Sequence, residues 1–303
     1  MKQGTIQMSS IKKTDDFLHN PEGKADWRES YYFNFVDAKS RTSGFTTIGI
    51  LPKLKRGEFI MALFYDDKQA VHYKEQALLN EQSSSCISDG TLTYRLVEPM
   101  RKWEISAASE NLNTYFTWKA RFPPFDFGEG SRTSWKGHFE QSGVVEGEAA
   151  FGDGRKIRFS GFSQRDKSWG VRDWHIEQWF ALHAQFQSYA VGLRKDTVSG
   201  SSYVSGGLSS ARKHVAASQV DVQMICGEDR KTPTGASTTI RYADGKSETI
   251  VSKLIYPKSF VKFSRSFPKG TTELFEGMAL HESTATGEKG TGLMEFLFTH
   301  SKP

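Results

Sequence analysis

Apolar and polar residues alternate along much of this chain, and a period of two marks a half-buried β-strand, because successive side chains on a strand point to opposite faces. Phe116, Trp118, Ala120 and Phe122 alternate with Tyr115, Thr117, Lys119 and Arg121. Ile157, Phe159 and Gly161 alternate with Lys156, Arg158 and Ser160, and Val261, Phe263 and Phe267 with Lys262, Ser264 and Ser266. The steps Asp153-Gly154, Ser205-Gly206 and Asp244-Gly245 are expected turns. Many short strands at regular spacing predict an all-β, antiparallel chain. One stretch breaks the pattern: Ala70, Tyr73, Ala77 and Leu78 fit a weak 3.6-residue period and predict a helix over Asp67 to Gln82, with a long loop as the alternative. No glycine-rich loop follows a strand to open a helix, which argues against a nucleotide cofactor.

The 303 residues are enough for two domains, each with its own core. Closing an antiparallel sheet removes its exposed edges, so the reading is two tandem β-barrel or sandwich domains, residues 1–170 and 171–303, with the boundary between Gly161 and Gln185. One very large barrel is the alternative. A mean hydropathy of −0.53 and a polar start from Met1 to Asp16 predict no membrane span and no signal peptide, hence a soluble, cytoplasmic protein without stable membrane insertion. Cys86 and Cys226 lie outside any metal-ligand spacing, so neither a disulfide framework nor a metal site is expected. The 40 Lys and Arg are interleaved with 35 Asp and Glu, which argues against a nucleic-acid partner. Aromatics reach 13%, which fits either broad sheet cores or an apolar ligand cavity. The sequence leaves the oligomeric state open.

The densest chemistry lies in Gly161 to Trp174, where two acids, two arginines, a lysine and two tryptophans fall together. Asp166 and Asp173 are candidate proton donors or acceptors, Arg165 and Arg172 could hold those carboxylates by bidentate hydrogen bonds, and Trp169 and Trp174 could wall a dry pocket. An arginine beside the acid opposes its role by favouring the charged form. Neighbours on a strand face opposite ways, however, so adjacency of Arg165 to Asp166, or of Arg172 to Asp173, does not establish pairing. His138 and Glu140 share one strand face and could position water. Trp27, Glu29 and Tyr31 form an aromatic-acid-aromatic row that could line either a pocket or a core. All of these residues also have a purely structural reading, in which Arg–Asp pairs beside Trp staple two β-domains together.

Several motifs carry a family resemblance. His138-Phe-Glu140-Gln141 and Arg165-Asp166-Lys167-Ser-Trp169-Gly170, joined by a hairpin through Val145-Glu-Gly147 and Asp153-Gly154, occur with Asp26-Trp27-Arg-Glu29-Ser30-Tyr31-Tyr32, Ile48-Gly49-Ile-Leu-Pro52 and Gly290-Thr-Gly292-Leu-Met-Glu295. Together they resemble the carotenoid 1,2-hydratase (hydroxyneurosporene synthase) and AttH-like family. The resemblance implies two tandem lipocalin-like β-domains bordering a ligand cavity, and relatives that include hydratases and cofactor-free cyclases of isoprenoid or polyketide-derived substrates. It favours Asp166 as the acid and places Glu295 as a carboxylate on a late strand, paired with Arg172 or Arg165. It also marks a departure: Lys167 stands where histidine is common, and could bind a substrate carboxylate or phosphate or extend along the surface.

Three functions follow as expectations. The first is a cofactor-independent lyase or isomerase that hydrates or cyclises an apolar isoprenoid-like (terpenoid) molecule by acid catalysis. Asp166, Asp173, Glu140 and His138 would be the reacting groups, and Trp27, Glu29, Tyr31, Lys167, Trp169, Arg172, Trp174 and Glu295 would line the substrate. The second is a carrier of a hydrophobic small molecule. The third is a pericyclase, resembling Diels-Alderases, that works by shape and proximity.

Overall fold

A computed structural model describes residues 10–78, 85–128, 135–172, 176–268 and 270–301, and these divide into two compact units, Ser10–Arg172 and the residues from Ile176 onward. Both are antiparallel β, as the alternation predicts. Asp173 and Trp174 lie outside the described residues.

The first unit contains β1 (Trp27–Asp37), β2 (Thr42–Leu51), β3 (Arg56–Tyr65), β4 (Lys68–Ala77), β5 (Cys86–Ser88), β6 (Leu92–Glu98), β7 (Lys102–Ala108), β8 (Leu112–Ala120), β9 (Phe125–Asp126), β10 (Gly137–Phe151) and β11 (Lys156–Val171). Their order is β4-β3-β2-β1-β11-β10-β8-β7-β6-β5, with β9 beside β10, in a sheet curled into a half-barrel. Its concave core holds Tyr31, Phe33, Phe35, Tyr94, Trp103 and Trp118 among other buried residues. Burying one such aromatic ring contributes roughly 1.5–3 kcal/mol. Ahead of β1, the 3-10 turn Lys13–Asp16 brings Asp16 into the core, and Phe17 and Leu18 pack beside it.

The helix expected over Asp67 to Gln82 is instead strand β4, which pairs with β3 from Tyr65↔Lys68 to Arg56↔Ala77; residues 79–84 lie outside the described set. Asp66, at φ 51°, turns the chain back to make this pairing. β4 ends the sheet order, so it needs little apolar patterning: Ala70 is buried, while Val71 and Tyr73 are 47% and 58% exposed. The expected turns at Asp153-Gly154 and Asp244-Gly245 link β10 to β11 and the sixteenth strand to the seventeenth. Ser205-Gly206 is not a turn, because Gly206, at φ 87°, sits inside a strand.

The second unit contains β12 (Gln178–Gln185), β13 (Ala190–Val198), β14 (Ser201–Ser209), β15 (His214–Cys226), β16 (Pro233–Tyr242), β17 (Ser247–Leu254), β18 (Phe260–Phe267), β19 (Gly270–Ser283) and β20 (Lys289–Ser301). One edge of β19 pairs first with β18 and then with β17, and its other edge pairs with β20. The β17–β19 pairing closes an eight-stranded barrel around Phe180, Leu182, Leu193, Ile250, Met294 and Phe296. Among the described residues no helix is long and apolar enough to cross a membrane.

Inside the barrel His281 Nδ1 lies 2.9 Å from Ser252 Oγ, and burial pushes the imidazole pKa down to about 3. The unfolded chain takes up this proton near pH 6.5 and the folded barrel does not. The contribution of His281 to stability is therefore complete above about pH 6.5. It is lost on acidification at up to about 1.4 kcal/mol per pH unit until about pH 3. Urea denaturation from pH 7 to 4 is expected to show a shallower loss in His281→Gln than in the wild type; equal slopes would contradict this.

Candidate functional site

The motif Arg165-Asp166-Lys167-Ser168-Trp169 lies on β11, between β1 and β10, and strand geometry divides it by face. The pairings Phe33↔Arg165↔Gln141, Tyr31↔Lys167↔Phe139 and Glu29↔Trp169↔Gly137 place one set on the core side of the half-barrel. The pairings Asn34↔Gln164↔Ser142, Tyr32↔Asp166↔Glu140 and Ser30↔Ser168↔His138 place the other set on the opposite face.

The core-side set is an ion network. The Arg165 guanidinium holds the Asp16 carboxylate with both terminal nitrogens, and its Nε and Nη2 donate to Gln141 Oε1 at 3.0 and 2.8 Å. Gln141 is fixed in turn by donating to the carbonyls of Met100 and Phe122, both at 3.0 Å, while the Met100 N–H donates to Asp16. The guanidinium also lies 5.0 and 4.9 Å from the ring centres of Trp118 and Phe139. Lys167 is fully buried; its ammonium donates to Glu29 and sits 4.3 Å from the Tyr31 ring centre. Glu29 also accepts from Trp27 Nε1 at 2.9 Å and from the His19 N–H at 3.0 Å, and the His19 ring stacks on Trp169 at 4.0 Å.

Charge balance follows from this geometry. Burial raises the Glu29 pKa, but the Lys167 ammonium and His19 outweigh it and hold the carboxyl below the usual range. Burial pushes the Lys167 amine down against the pull of Glu29, and burial with the Glu29 and Asp16 charges pushes the Tyr31 phenol up. The reading of Lys167 as a surface lysine is corrected: odd parity on β11 turns it into the core, where Glu29 meets it. Trp27, Glu29, Tyr31 and Lys167 are thus brought together as one buried scaffold, with the half-buried Trp169 at its margin.

The opposite face holds the two candidate reacting carboxyl groups, Glu140 and Asp166. Glu140 is 3% exposed and lies directly across from Asp166, with Tyr32 at the same level on β1. Opposed side chains on adjacent antiparallel strands have Cβ atoms roughly 4.5–5.5 Å apart. Gln164 Nε2 donates to Glu140, and His138 Nε2 is 3.8 Å from the other Glu140 oxygen. Aromatic rings flank the pair: Tyr32 stacks on Phe45 and Phe45 lies near Phe64, while Phe127 and Trp135 lie 4.4 Å from His138. Arg172, just past β11, donates to Ser168 Oγ at 2.8 Å.

Glu295 belongs to the barrel unit. It accepts from Trp179 Nε1, and the Arg194 guanidinium lies 4.0 Å from the Trp179 ring centre while donating to Asp196 at 2.6 Å. The Arg165 partner is Asp16 rather than Glu295. Sequence reasoning missed Asp16, His19 and Tyr32. Tyr32 had a usable signal, since it has the opposite parity to Tyr31 on an extended segment.

The Lys167–Glu29 pair makes a direct prediction. Lys167→Met or Glu29→Gln alone strands a buried charge and is expected to cost about 3–5 kcal/mol. The double variant Lys167→Met with Glu29→Gln should lose far less than the sum in urea denaturation; additive losses would contradict the pairing.

The fold is shared with solved structures of low sequence identity. Kievitone hydratase from Nectria haematococca is similar with a TM-score of 0.66 at 11% identity, over 97% of this chain and 94% of that one. CghA with Sch210972 is similar with a TM-score of 0.65 at 12% identity, over 91% of this chain and 89% of that one. Identity at this level shows a common fold alone, and the tandem lipocalin-like architecture implied by the motifs stands. No curated protein matches the sequence. The family described as "Domain of unknown function (DUF7064)" matches residues 12–299, nearly the whole chain, and the protein belongs to that family.

Proposed function

We propose that this protein is an enzyme that hydrates or cyclises an apolar isoprenoid-like molecule by proton transfer from a carboxyl group, with no cofactor. The observation that carries the reading is the opposition of Glu140 and Asp166 across β10 and β11, with Tyr32 level on β1 and aromatic rings on both sides. The similarity in fold to a hydratase and to a protein solved with a small molecule supports it. The isoprenoid class rests on the motif resemblance to carotenoid hydratases.

Asp166 would give its proton to one carbon of an alkene, leaving a carbocation at the other. Aromatic faces such as Tyr32 and Phe45 stabilise a cation by roughly 0.5–2 kcal/mol each. In hydration, water attacks the cation and its extra proton passes to Glu140 or, through it, to His138. In cyclisation, an internal alkene attacks and the proton lost from the new cation goes to the same base. Arg165 is committed to Asp16 and Gln141 on the other face, so it does not oppose the acid role of Asp166. Trp27, Glu29, Tyr31, Lys167 and Trp169 act beneath the strands as the frame that fixes their register.

A second reading, a carrier of a hydrophobic molecule, is kept open by CghA, which is solved with a bound small molecule. Native mass spectrometry on protein purified from its host, with solvent extraction and chromatography of the bound molecule to resolve isomers, separates the two. A bound apolar molecule should gain a water mass, or isomerise at constant mass, at least about 100-fold more slowly in Asp166→Asn or Glu140→Gln. A molecule held unchanged by the wild type and both variants would sink the enzyme reading.

A further inference from the structure

A groove of about 750 Å3 opens on the Ser10–Arg172 unit, on the same sheet face as Glu140 but at the other end of β10. Glu146 lines it, six residues from Glu140 and so about 20 Å along the strand. The walls are rows of side chains in cross-strand register: Tyr115, Glu148 and Arg158 in one row, Thr117, Glu146 and Ser160 in the next. Asp37, the last residue of β1, and Lys39 and Ser40, from the turn after it, add to the walls.

The chemistry of these walls selects a ligand class. Three acids, Asp37, Glu146 and Glu148, meet three bases, Lys39, Lys119 and Arg158, so the groove favours no net charge in its occupant. Ten of the twelve lining residues carry a hydrogen-bonding side chain, so an occupant must offer polar groups as well as the apolar surface that meets Tyr115 and the aliphatic stems of Lys39, Lys119 and Arg158. Asp37 is a fixed wall, since its carboxylate accepts from the N–H groups of Lys39, Ser40 and Ser160. Glu148 and Arg158, 3.9 Å apart and largely exposed, hold each other only loosely. Tyr115 is 46% exposed, which is high for so large a ring, and offers a rigid flat face beside these polar groups.

Donors and acceptors in balance beside one exposed aromatic face suit a neutral, polyhydroxylated ring. We propose that this groove is a second binding site, for a glycosyl group. The same chemistry is presented by a free oligosaccharide and by a sugar attached to an apolar small molecule.

Isothermal titration of the full chain with cellohexaose, maltohexaose and octyl glucoside tests this, with hexanol as the control for the tail. At least one sugar is expected to bind, and Tyr115→Ala and Glu148→Gln should weaken it roughly tenfold or more, with circular dichroism unchanged because both side chains are exposed. Binding of a hexasaccharide identifies free glycan as the source; binding of octyl glucoside without the hexasaccharides identifies a glycosylated small molecule. Asp166→Asn should leave sugar binding intact, so this site stands or falls apart from the proposed chemistry. Absence of binding by all three sugars up to about 10 mM, binding of hexanol equal to octyl glucoside, or affinity unchanged in Tyr115→Ala would overturn the proposal.

Discussion

Two buried cations, Arg165 and Lys167, each neutralised by a carboxylate from elsewhere in the chain, govern the layout of the first unit. Removing such charges from water is costly, and they are tolerated only where an opposite charge and further hydrogen bonds meet them. Asp16 arrives from the N-terminal turn and Glu29 from β1, so the ion network ties the start of the chain, β1, β10 and β11 into one register. A slip of one residue on β11 would strand both cations on the other face. The same register that buries Arg165 and Lys167 turns Asp166 toward Glu140.

The barrel unit depends on a different constraint, the closeness of neighbouring backbones. A Cβ at Gly292 would lie 1.7 Å from the His183 carbonyl oxygen, so β20 can approach β12 there only as glycine. Its interior is mainly apolar, with polar groups held by one another: Tyr242 donates to Glu248 at 3.0 Å and Ser283 donates to the same carboxylate at 2.6 Å. Neither unit relies on a disulfide, and Cys86 and Cys226 are both free.

Alternation made the all-β class readable, and it was most reliable where one face met a core, as at Tyr115 to Phe122. It failed at Lys68–Ala77, where an edge strand has little to bury and its alanines mimic a helical period. Parity also separated Asp166 from its neighbour Arg165 in principle, but the partner of that arginine could not be found locally, since Asp16 is 149 residues away. The same holds for Lys167, whose carboxylate lies 138 residues off in sequence. The polar start of the chain gave no sign that Asp16 would be buried. Tyr32 was legible by its parity alone, against an aromatic run whose other face fills the core.

The most direct test of this account is a pair of double-mutant cycles on stability, Asp16→Asn with Arg165→Gln and Arg165→Gln with Asp166→Asn, each measured by urea denaturation. The division of β11 by face predicts a coupling of about 3 kcal/mol or more between Asp16 and Arg165, and less than about 0.5 kcal/mol between Arg165 and Asp166. Coupling of Arg165 to Asp166 as strong as to Asp16 would mean that the acid is part of the ion network, and would contradict its separation as a reactive group.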